Sequence, residues 1–221
     1  MAKLKLAVLI SGGGSNLQAI IDACAKRDYP AEIGLVFSNQ TDAKGLDRAR
    51  KAGIRAEAIA HKGYPGGRES YDAAVSALIE QSGADLVVLA GYFRLVGESF
   101  VTRWQGRLIN IHPSLLPSFK GLHAHEQTIT AGVKFSGCTV HYVVPEMDAG
   151  PIIAQAVVPV LPGDDAPALA HRVLKQEHRL YPEVIRWIAE GRVHVGENGI
   201  VTIRDSRRPD FAETSPIIAS R

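Results

Sequence analysis

The fold is decided by the stretch Leu4-Lys5-Leu6-Ala7-Val8-Leu9-Ile10-Ser11-Gly12-Gly13-Gly14-Ser15-Asn16 near the start of the chain. Its first seven residues form a run that is apolar except for Lys5, which is typical of a strand buried in a parallel sheet. Three glycines and an amphipathic segment through Lys26 follow this run. The order predicts a strand, a glycine loop and a helix, the first unit of an α/β fold.

Similar units recur along the chain. Apolar runs lie at 33–38, 56–59, 86–90 and 108–111, and helical patterns at 44–52, 68–81 and 98–104 separate them. This alternation predicts a Rossmann-like, mostly parallel sheet with helices on both faces. Two further β-rich runs, 135–144 and 152–160, are expected to extend the same sheet.

The second half of the chain ends in a long helical pattern. Asp165 is expected to cap a helix from Ala166 to about Glu190, with a kink or a restart at Tyr181-Pro182. We expect one domain over residues 1–221. Its core is expected at about 4–190, with a hairpin and a tail at 191–221.

Composition excludes several classes of protein. The 221 residues carry a formal net charge of +2 without a long basic run, so nothing demands a nucleic acid or a membrane as partner. Cys24 and Cys138 lie far apart, which indicates a reducing compartment, and we expect a cytoplasmic protein. The apolar run ending at Ile10 is too short for a secretory signal or a membrane span.

The candidate catalytic stretch is Asn110-Ile111-His112-Pro113, at the end of an apolar run. Pro113 cannot continue a central strand, so His112 is expected near the end of a strand. Asn110 and His112 are two residues apart and would share one face of that strand. An amide and an imidazole at one spot could stabilise an oxyanion and move a proton.

The glycine loop has two interpretations. Its backbone N–H groups, with those of the following helix, could bind a phosphate. Alternatively, it is only a tight turn capped by Ser15 or Asn16. The loop lacks the Lys-Ser/Thr ending of a Walker motif, and Leu17 replaces the third glycine of a dinucleotide fingerprint. A single phosphate therefore fits it better than a dinucleotide.

Other candidates also have alternatives. Asp148 could charge and orient His112, or it could be an ordinary turn aspartate. Arg94 could hold an acidic ligand, or it could be a solvated arginine. A metal site would need three or four converging ligands, and none is expected. The residues considered for it are His123, His125, Glu126 and His141, for which polar loop or supporting roles are preferred.

Five motifs together resemble the phosphoribosylglycinamide formyltransferase family, the folate-dependent enzymes of purine synthesis. They are Ser11-Gly12-Gly13-Gly14-Ser15-Asn16-Leu17-Gln18, Leu89-Ala90-Gly91-Tyr92-Phe93-Arg94-Leu95, Asn110-Ile111-His112-Pro113-Ser114-Leu115-Leu116-Pro117, Gly121-Leu122-His123-Ala124-His125 and Asp148-Ala149-Gly150-Pro151-Ile152-Ile153. The resemblance spans about residues 4–190 in the expected order, and the joint set is far more specific than any single motif.

The resemblance implies formyl transfer from 10-formyltetrahydrofolate to the amine of glycinamide ribonucleotide, by direct attack and without a metal. It assigns catalysis to Asn110, His112 and Asp148. The interpretation of Asp148 as an ordinary turn aspartate is therefore disfavoured. It also assigns the two substrate sites. Ribonucleotide binding maps to Gly14, Ser15, Asn16 and Glu177, and folate binding maps to Arg68, Phe93, Arg94, Leu95, Val96 and Asn110. A monomer and a homodimer both remain open.

Three departures from the family pattern concern binding. Gly13 replaces a larger residue, Ser118-Phe119-Lys120 replaces a Lys/Arg-aromatic-Pro sequence, and Leu174 stands where some relatives have a polar residue.

Three other functions would account for part of this pattern. Methionyl-tRNA formyltransferase carries a further C-terminal domain, for which this chain is expected to be too short. Formyltetrahydrofolate deformylase usually adds an N-terminal domain, yet it is the closer alternative, because only water must replace the amine. A non-catalytic nucleotide-binding module would leave the three catalytic candidates without a purpose.

Overall fold

A computed structural model describes residues 2–205 of the chain. The elements in chain order are β1 (Leu4–Ile10), α1 (Ser15–Cys24), β2 (Ala31–Ser38), α2 (Lys44–Lys51), β3 (Ala56–Ala58), α3 (Gly67–Gln81), β4 (Leu86–Leu89), α4 (Glu98–Arg103), β5 (Leu108–His112), α5 (Ala124–Ala131), β6 (Phe135–Tyr142), β7 (Ile152–Pro159), α6 (Ala166–Ala189), β8 (Val193–Val195) and β9 (Val201–Ile203). The residues predicted as a tail beyond 205 lie outside the described part.

A seven-stranded sheet forms the centre of the molecule, in the order β3-β2-β1-β4-β5-β6-β7. The strands from β3 to β5 are parallel. Strands β6 and β7 extend the sheet in antiparallel pairing. The predicted α/β class and the extension of the sheet are confirmed. Strands β8 and β9 form a separate antiparallel hairpin.

Helices cover both faces of the sheet, as the apolar runs predicted. Along β1, Leu6 and Val8 pack into the core on one side, where α1 and α6 lie. The intervening Ala7 and Leu9 pack into the core on the other side, against α3 and α4. Successive side chains of a strand point to opposite faces, so a strand buried on both faces must be apolar throughout.

Helix α6 begins as predicted, because the Asp165 carboxylate accepts a hydrogen bond from the Ala168 N–H at 2.8 Å. Of the two outcomes expected at Tyr181-Pro182, a kink or a restart, the restart is wrong, since α6 runs through Pro182 to Ala189. An internal proline costs a helix about 3 kcal/mol. Tyr181, Val184 and Ile185 around it are fully buried. Burial of this face offsets the cost of the proline.

Between residues 2 and 205, no helix combines the length and the apolar character needed to cross a bilayer.

Candidate active site

Most of the candidate residues lie at or just after the carboxyl ends of β1, β4 and β5, which are neighbouring parallel strands. After β1 the chain crosses to β2 on one side, while β4 lies on the other side, so the strand order reverses between β1 and β4. Open α/β sheets bind ligands in the crevice at such a point. The loops after β1 and β4 touch here, because the Ser11 N–H donates to the Gly91 carbonyl and the Phe93 N–H donates to Ser11 Oγ, at 2.9 and 2.8 Å.

His112 is the last residue of β5, and both of its ring nitrogens face acceptors. Nδ1 lies 3.4 Å from a carboxylate oxygen of Asp148. Nε2 lies 2.9 Å from the carbonyl oxygen of Phe119. The prediction that His112 ends a strand is confirmed, and the carboxylate far along the chain does lie beside it. A protonated imidazolium can donate to both acceptors at once.

Asp148 is held in place by the backbone around it. It adopts φ 50°, a left-handed conformation that is uncommon for residues other than glycine. Its Oδ2 accepts the Gly121 N–H at 2.8 Å, and its side chain is 11% exposed. Strained residues of this kind cluster at functional sites. The arrangement therefore differs from that of an ordinary solvated turn aspartate.

The loop that carries Asp148 lies very close to β6. A Cβ atom added to Gly150 would lie 1.8 Å from the Tyr142 carbonyl oxygen. Only glycine permits this approach of two backbones. Gly150 therefore fixes how near the loop can come to the strand.

Asn110 is partly buried on β5, and its direct partner across the sheet is His141 on β6. The Nδ2 atom of Asn110 lies 3.4 Å from Nε2 of His141. The same Nε2 atom lies 3.8 Å from Oδ1 of Asp148, so His141 adjoins two candidate catalytic side chains. The sequence suggested only a supporting role for this histidine. Its relation to Asn110 depends on the register of β5 against β6, which no local pattern encodes.

The turn after His112 is tied to β6 and β7 by side chains. Thr139 donates from Oγ1 to the Ser114 carbonyl and accepts the Leu116 N–H, at 2.7 and 3.0 Å. Gln155 donates to the Leu116 carbonyl at 2.9 Å. These bonds fix the chain immediately after β5. Sequence reasoning did not single out Thr139 or Gln155.

The glycine loop leads directly into α1. Gly14 has φ 68° and occupies the N-cap position, and no side chain caps the helix, so the cap expected from Ser15 or Asn16 is wrong. Arg48 donates from Nε to the Gly13 carbonyl at 2.8 Å. Gly13, one of the departures from the family pattern, is thus held through its backbone. Free N–H groups at a helix N-terminus suit an anion.

Asn16 connects this loop to α6. Its Nδ2 donates to Glu177 Oε2 at 2.7 Å, while its buried Oδ1 has no hydrogen-bond partner among the described residues. Burial raises the pKa of Glu177, and the Asn16 hydrogen bond opposes that shift. The pair supplies a buried acceptor and a buried acid beside the glycine loop.

A groove of about 650 Å³ lies beside the loop, between α1 and α6, and Ser15 is part of its wall. Its charged side chains are Asp22, Lys26, Arg48, Arg179, Glu183 and Arg186. Leu174, another departure, is half-buried on α6.

The candidate folate side differs from the expectation in one respect. Arg94 is not a solvated arginine, because its side chain is only 13% exposed and pairs with Asp72 at 3.3 Å. Its guanidinium also lies 4.3 Å from the ring centroid of Tyr71, and its buried Nε has no hydrogen-bond partner among residues 2–205. Its charge is thus partly balanced within the protein.

The other folate candidates are more open to solvent. Phe93 and Leu95 are 77% and 56% exposed, and Val96 is half-buried. Arg68 is exposed at the start of α3, beside Gly97. Exposed apolar side chains next to a crevice are a feature of ligand and partner sites.

The loop of residues 118–120 closes around His112. Besides the Phe119 carbonyl, the Ser118 carbonyl accepts from Ser114 Oγ at 2.6 Å. Lys120 pairs with Glu146 at 3.6 Å. Phe119 itself has φ 58°. This departure from the family pattern is therefore tied to the end of β5 through His112.

The histidines considered for a metal do not converge. His123 is 76% exposed and pairs with Glu126 at 3.5 Å, whereas burial lowers the pKa of His125. Over residues 2–205, no group of three or more His, Cys, Asp or Glu side chains has the arrangement of a metal site.

Comparison with known proteins places this geometry in context. The family model described as formyl transferase matches residues 4–185. The phosphoribosylglycinamide formyltransferase of Escherichia coli (strain K12) is 47% identical over 195 residues, which are 88% of this chain and 92% of that protein. The trifunctional purine biosynthetic protein adenosine-3 of Bos taurus is 48% identical over 197 residues, or 89% of this chain. The chain spans only 19% of the length of that relative.

Solved structures agree with these sequence relatives. Glycinamide ribonucleotide transformylase 1 from Symbiobacterium toebii matches with a TM-score of 0.88 at 48% identity. The match covers 91% of this chain and 94% of that chain.

Proposed function

The chain belongs to the formyl transferase family, and we propose that it transfers the formyl group of 10-formyltetrahydrofolate to the amine of glycinamide ribonucleotide, a step of purine synthesis. The observation that carries the proposal is the contact of His112 with Asp148, beside Asn110, in a chain 47% identical to a phosphoribosylglycinamide formyltransferase. The protein is accordingly an enzyme, a one-carbon group transferase, with the folate as co-substrate.

The reaction needs no covalent enzyme intermediate. The amine nitrogen attacks the formyl carbon, forming a C–N bond and a tetrahedral oxyanion. Collapse of this intermediate breaks the bond between the formyl carbon and N10 of the folate. The proton lost by the amine is balanced by the proton gained at N10, so the products are the formylated ribonucleotide and tetrahydrofolate. Holding both substrates together supplies much of the rate enhancement.

Asn110 and His112 are the proposed oxyanion donors. The amide of Asn110 and Nε2–H of His112 would donate to the formyl oxygen as its charge develops. For this, His112 must exchange the Phe119 carbonyl, now 2.9 Å from Nε2, for the formyl oxygen. Asp148 lies 3.4 Å from Nδ1 on the other side of the ring, so it would orient the imidazole.

The ribonucleotide is assigned to the crevice between β1 and β4, at the N-terminus of α1. Gly14, Ser15 and Asn16 would bind the phosphate through their N–H groups, with Gly14 in a left-handed conformation that suits the turn. Glu177 would face the glycinamide amine. The support is its buried contact with Asn16, which places a carboxyl group next to the loop.

The folate is assigned to the loop after β4. Phe93, Leu95 and Val96 would contact its rings, and Asn110 would face its formyl group. Arg68 is the better partner for an acidic portion of the folate, because the charge of Arg94 is already paired with Asp72. We assign Arg94 to the floor of this site.

Domain organisation, partners and location complete the proposal. The chain would act as one formyltransferase domain, as a monomer or a homodimer, without nucleic acid or membrane partners. A cytoplasmic location is favoured by two free thiols, Cys24 and Cys138, of which Cys138 is buried.

The test follows folate absorbance with 10-formyltetrahydrofolate, with and without glycinamide ribonucleotide, while formate is assayed in parallel. Folate release that requires the ribonucleotide and yields no formate is the expected result. Release without the ribonucleotide, matched by formate, would instead identify a deformylase. No release in either sample would contradict both activities.

A further inference from the structure

His141 is almost completely buried, with 2% of its surface exposed, directly behind Asn110. Its Nδ1 atom lies 2.9 Å from the carbonyl oxygen of Tyr142. Its Nε2 atom lies 3.4 Å from Asn110 Nδ2. His141 has no role in the proposed mechanism.

The contacts define which nitrogen of the His141 ring carries a proton. A carbonyl oxygen can only accept, so the proton must be on Nδ1. In a neutral ring Nε2 then carries a lone pair, and the Asn110 amide group that faces it is a donor. Burial lowers the pKa of His141, the Tyr142 carbonyl and Asp148 oppose that shift, and His112 adds to it. A protonated ring would instead turn an N–H toward the amide N–H.

We propose that His141 is a positioning residue, which accepts one N–H of the Asn110 amide and thereby directs the other toward the formyl oxygen. The inference rests on the proposed function. An amide can rotate by 180° about its last bond and present oxygen in place of N–H. Oxygen facing the lone pair of Nε2 would be repelled, so His141 disfavours the orientation that removes the donor.

A proton relay between His141 and Asp148 is the competing role. The distance of 3.8 Å between Nε2 and Oδ1 is too long for a hydrogen bond. The Asn110 contact is shorter, and it joins residues that are directly opposite in the sheet. The geometry therefore favours positioning.

Two matched substitutions test the proposal. In His141→Gln, an amide oxygen can take the place of Nε2 and accept the Asn110 N–H. In His141→Asn, the shorter side chain can reach the Tyr142 carbonyl but not Asn110. We expect His141→Gln to keep nearly wild-type kcat and His141→Asn to lose about 10- to 100-fold, the size of loss known for residues that orient the ligands of a metal site. Equal losses in both variants would overturn the proposal.

A double-mutant cycle with Asn110→Ala adds a second criterion. If His141 acts through Asn110, His141→Asn should lower kcat no further in the Asn110→Ala background. A loss of the same size in both backgrounds would show that His141 acts independently, as a relay with Asp148 would.

Nitrogen NMR of the wild-type protein without substrates provides a readout that does not depend on activity. We expect a neutral His141 ring with the proton on Nδ1, and an Asn110 amide signal that shifts in His141→Asn but much less in His141→Gln. A protonated ring or an unchanged amide signal would overturn the proposal even in an active enzyme. Correct NMR signals in a protein without transferase activity would refute the proposed function alone.

Discussion

His112 sits between two acceptors, and this position makes it the most informative single residue for the proposed chemistry. Losing one oxyanion donor typically costs about 100- to 1000-fold in turnover. We expect this loss of kcat in His112→Ala, with a melting temperature near that of the wild type. The measurement is steady-state turnover with both substrates, together with thermal unfolding.

His171, which is exposed on α6, provides the matched control. His171→Ala should keep wild-type turnover. Near-wild-type kcat in His112→Ala would contradict its assignment.

Glu177 should give stability a distinct pH dependence. Burial raises its pKa above the ordinary value of 4.5, so the fold favours the protonated acid. The stability that Glu177 contributes is complete below pH 4.5 and is lost as the pH rises through the raised pKa. Glu177→Gln stays neutral and can still accept from Asn16. Urea unfolding without substrates should show the wild type losing stability relative to Glu177→Gln as the pH rises from 4.5; parallel curves would contradict this.

For single residues, the sequence predicted those positions that the regular geometry of a strand determines. Asn110 and His112 lie two apart on a strand, so their shared face follows from its period. Asp148 could be assigned only through family resemblance, because the loop that carries it is shaped by long-range packing. His141 was missed as a partner of Asn110, since strand register is fixed by the whole sheet. The burial of Arg94 likewise depends on α3, where Asp72 and Tyr71 lie.

Among the elements, the loop from β6 to β7 depends on Gly150. A methyl group there must displace the Tyr142 carbonyl, and overpacking of this kind typically costs about 1–3 kcal/mol. We expect Gly150→Ala to lower both the free energy of unfolding and kcat, because the loop carries Asp148. Denaturant unfolding and turnover measure the two effects.

Gly13→Ala is the control for stability, since nothing lies within 4 Å of its added Cβ. Its free energy of unfolding should stay level or rise slightly. Equal stability of Gly150→Ala and the wild type would contradict the close approach.

Element types were predictable wherever the apolar period was clear, as in β1 and α3. Pro182 shows the limit of local rules. Its residue type argues for a break, but the buried neighbours on α6 keep the helix continuous. Tertiary burial thus outweighed local preference.

For the whole molecule, Tyr181 joins α6 to the centre of the sheet. Its buried hydroxyl lies 2.9 Å from the Leu89 carbonyl and 3.2 Å from the Ile109 carbonyl. Tyr181→Phe leaves both carbonyls without this donor, and we expect a loss of about 1–3 kcal/mol in the free energy of unfolding. Equilibrium denaturation in urea measures it.

Tyr29→Phe is the matched comparison, because the Tyr29 hydroxyl donates to one partly buried carbonyl, that of Pro182. Its loss should be smaller. A larger loss of stability for Tyr29→Phe would indicate that the hydrogen bonds of the Tyr181 hydroxyl to β4 and β5 contribute little.

The close approach at Gly150 also bears on how activity is inferred from genes. A related protein could keep the asparagine, histidine and aspartate of the catalytic set and carry alanine at this one position. Inspection of the three proposed catalytic residues alone would classify its product as a working enzyme, although the added methyl group would have to displace the backbone beside the loop that carries the aspartate. In surveys of genomes, a glycine that performs no chemistry therefore deserves inspection together with the three residues proposed to perform it.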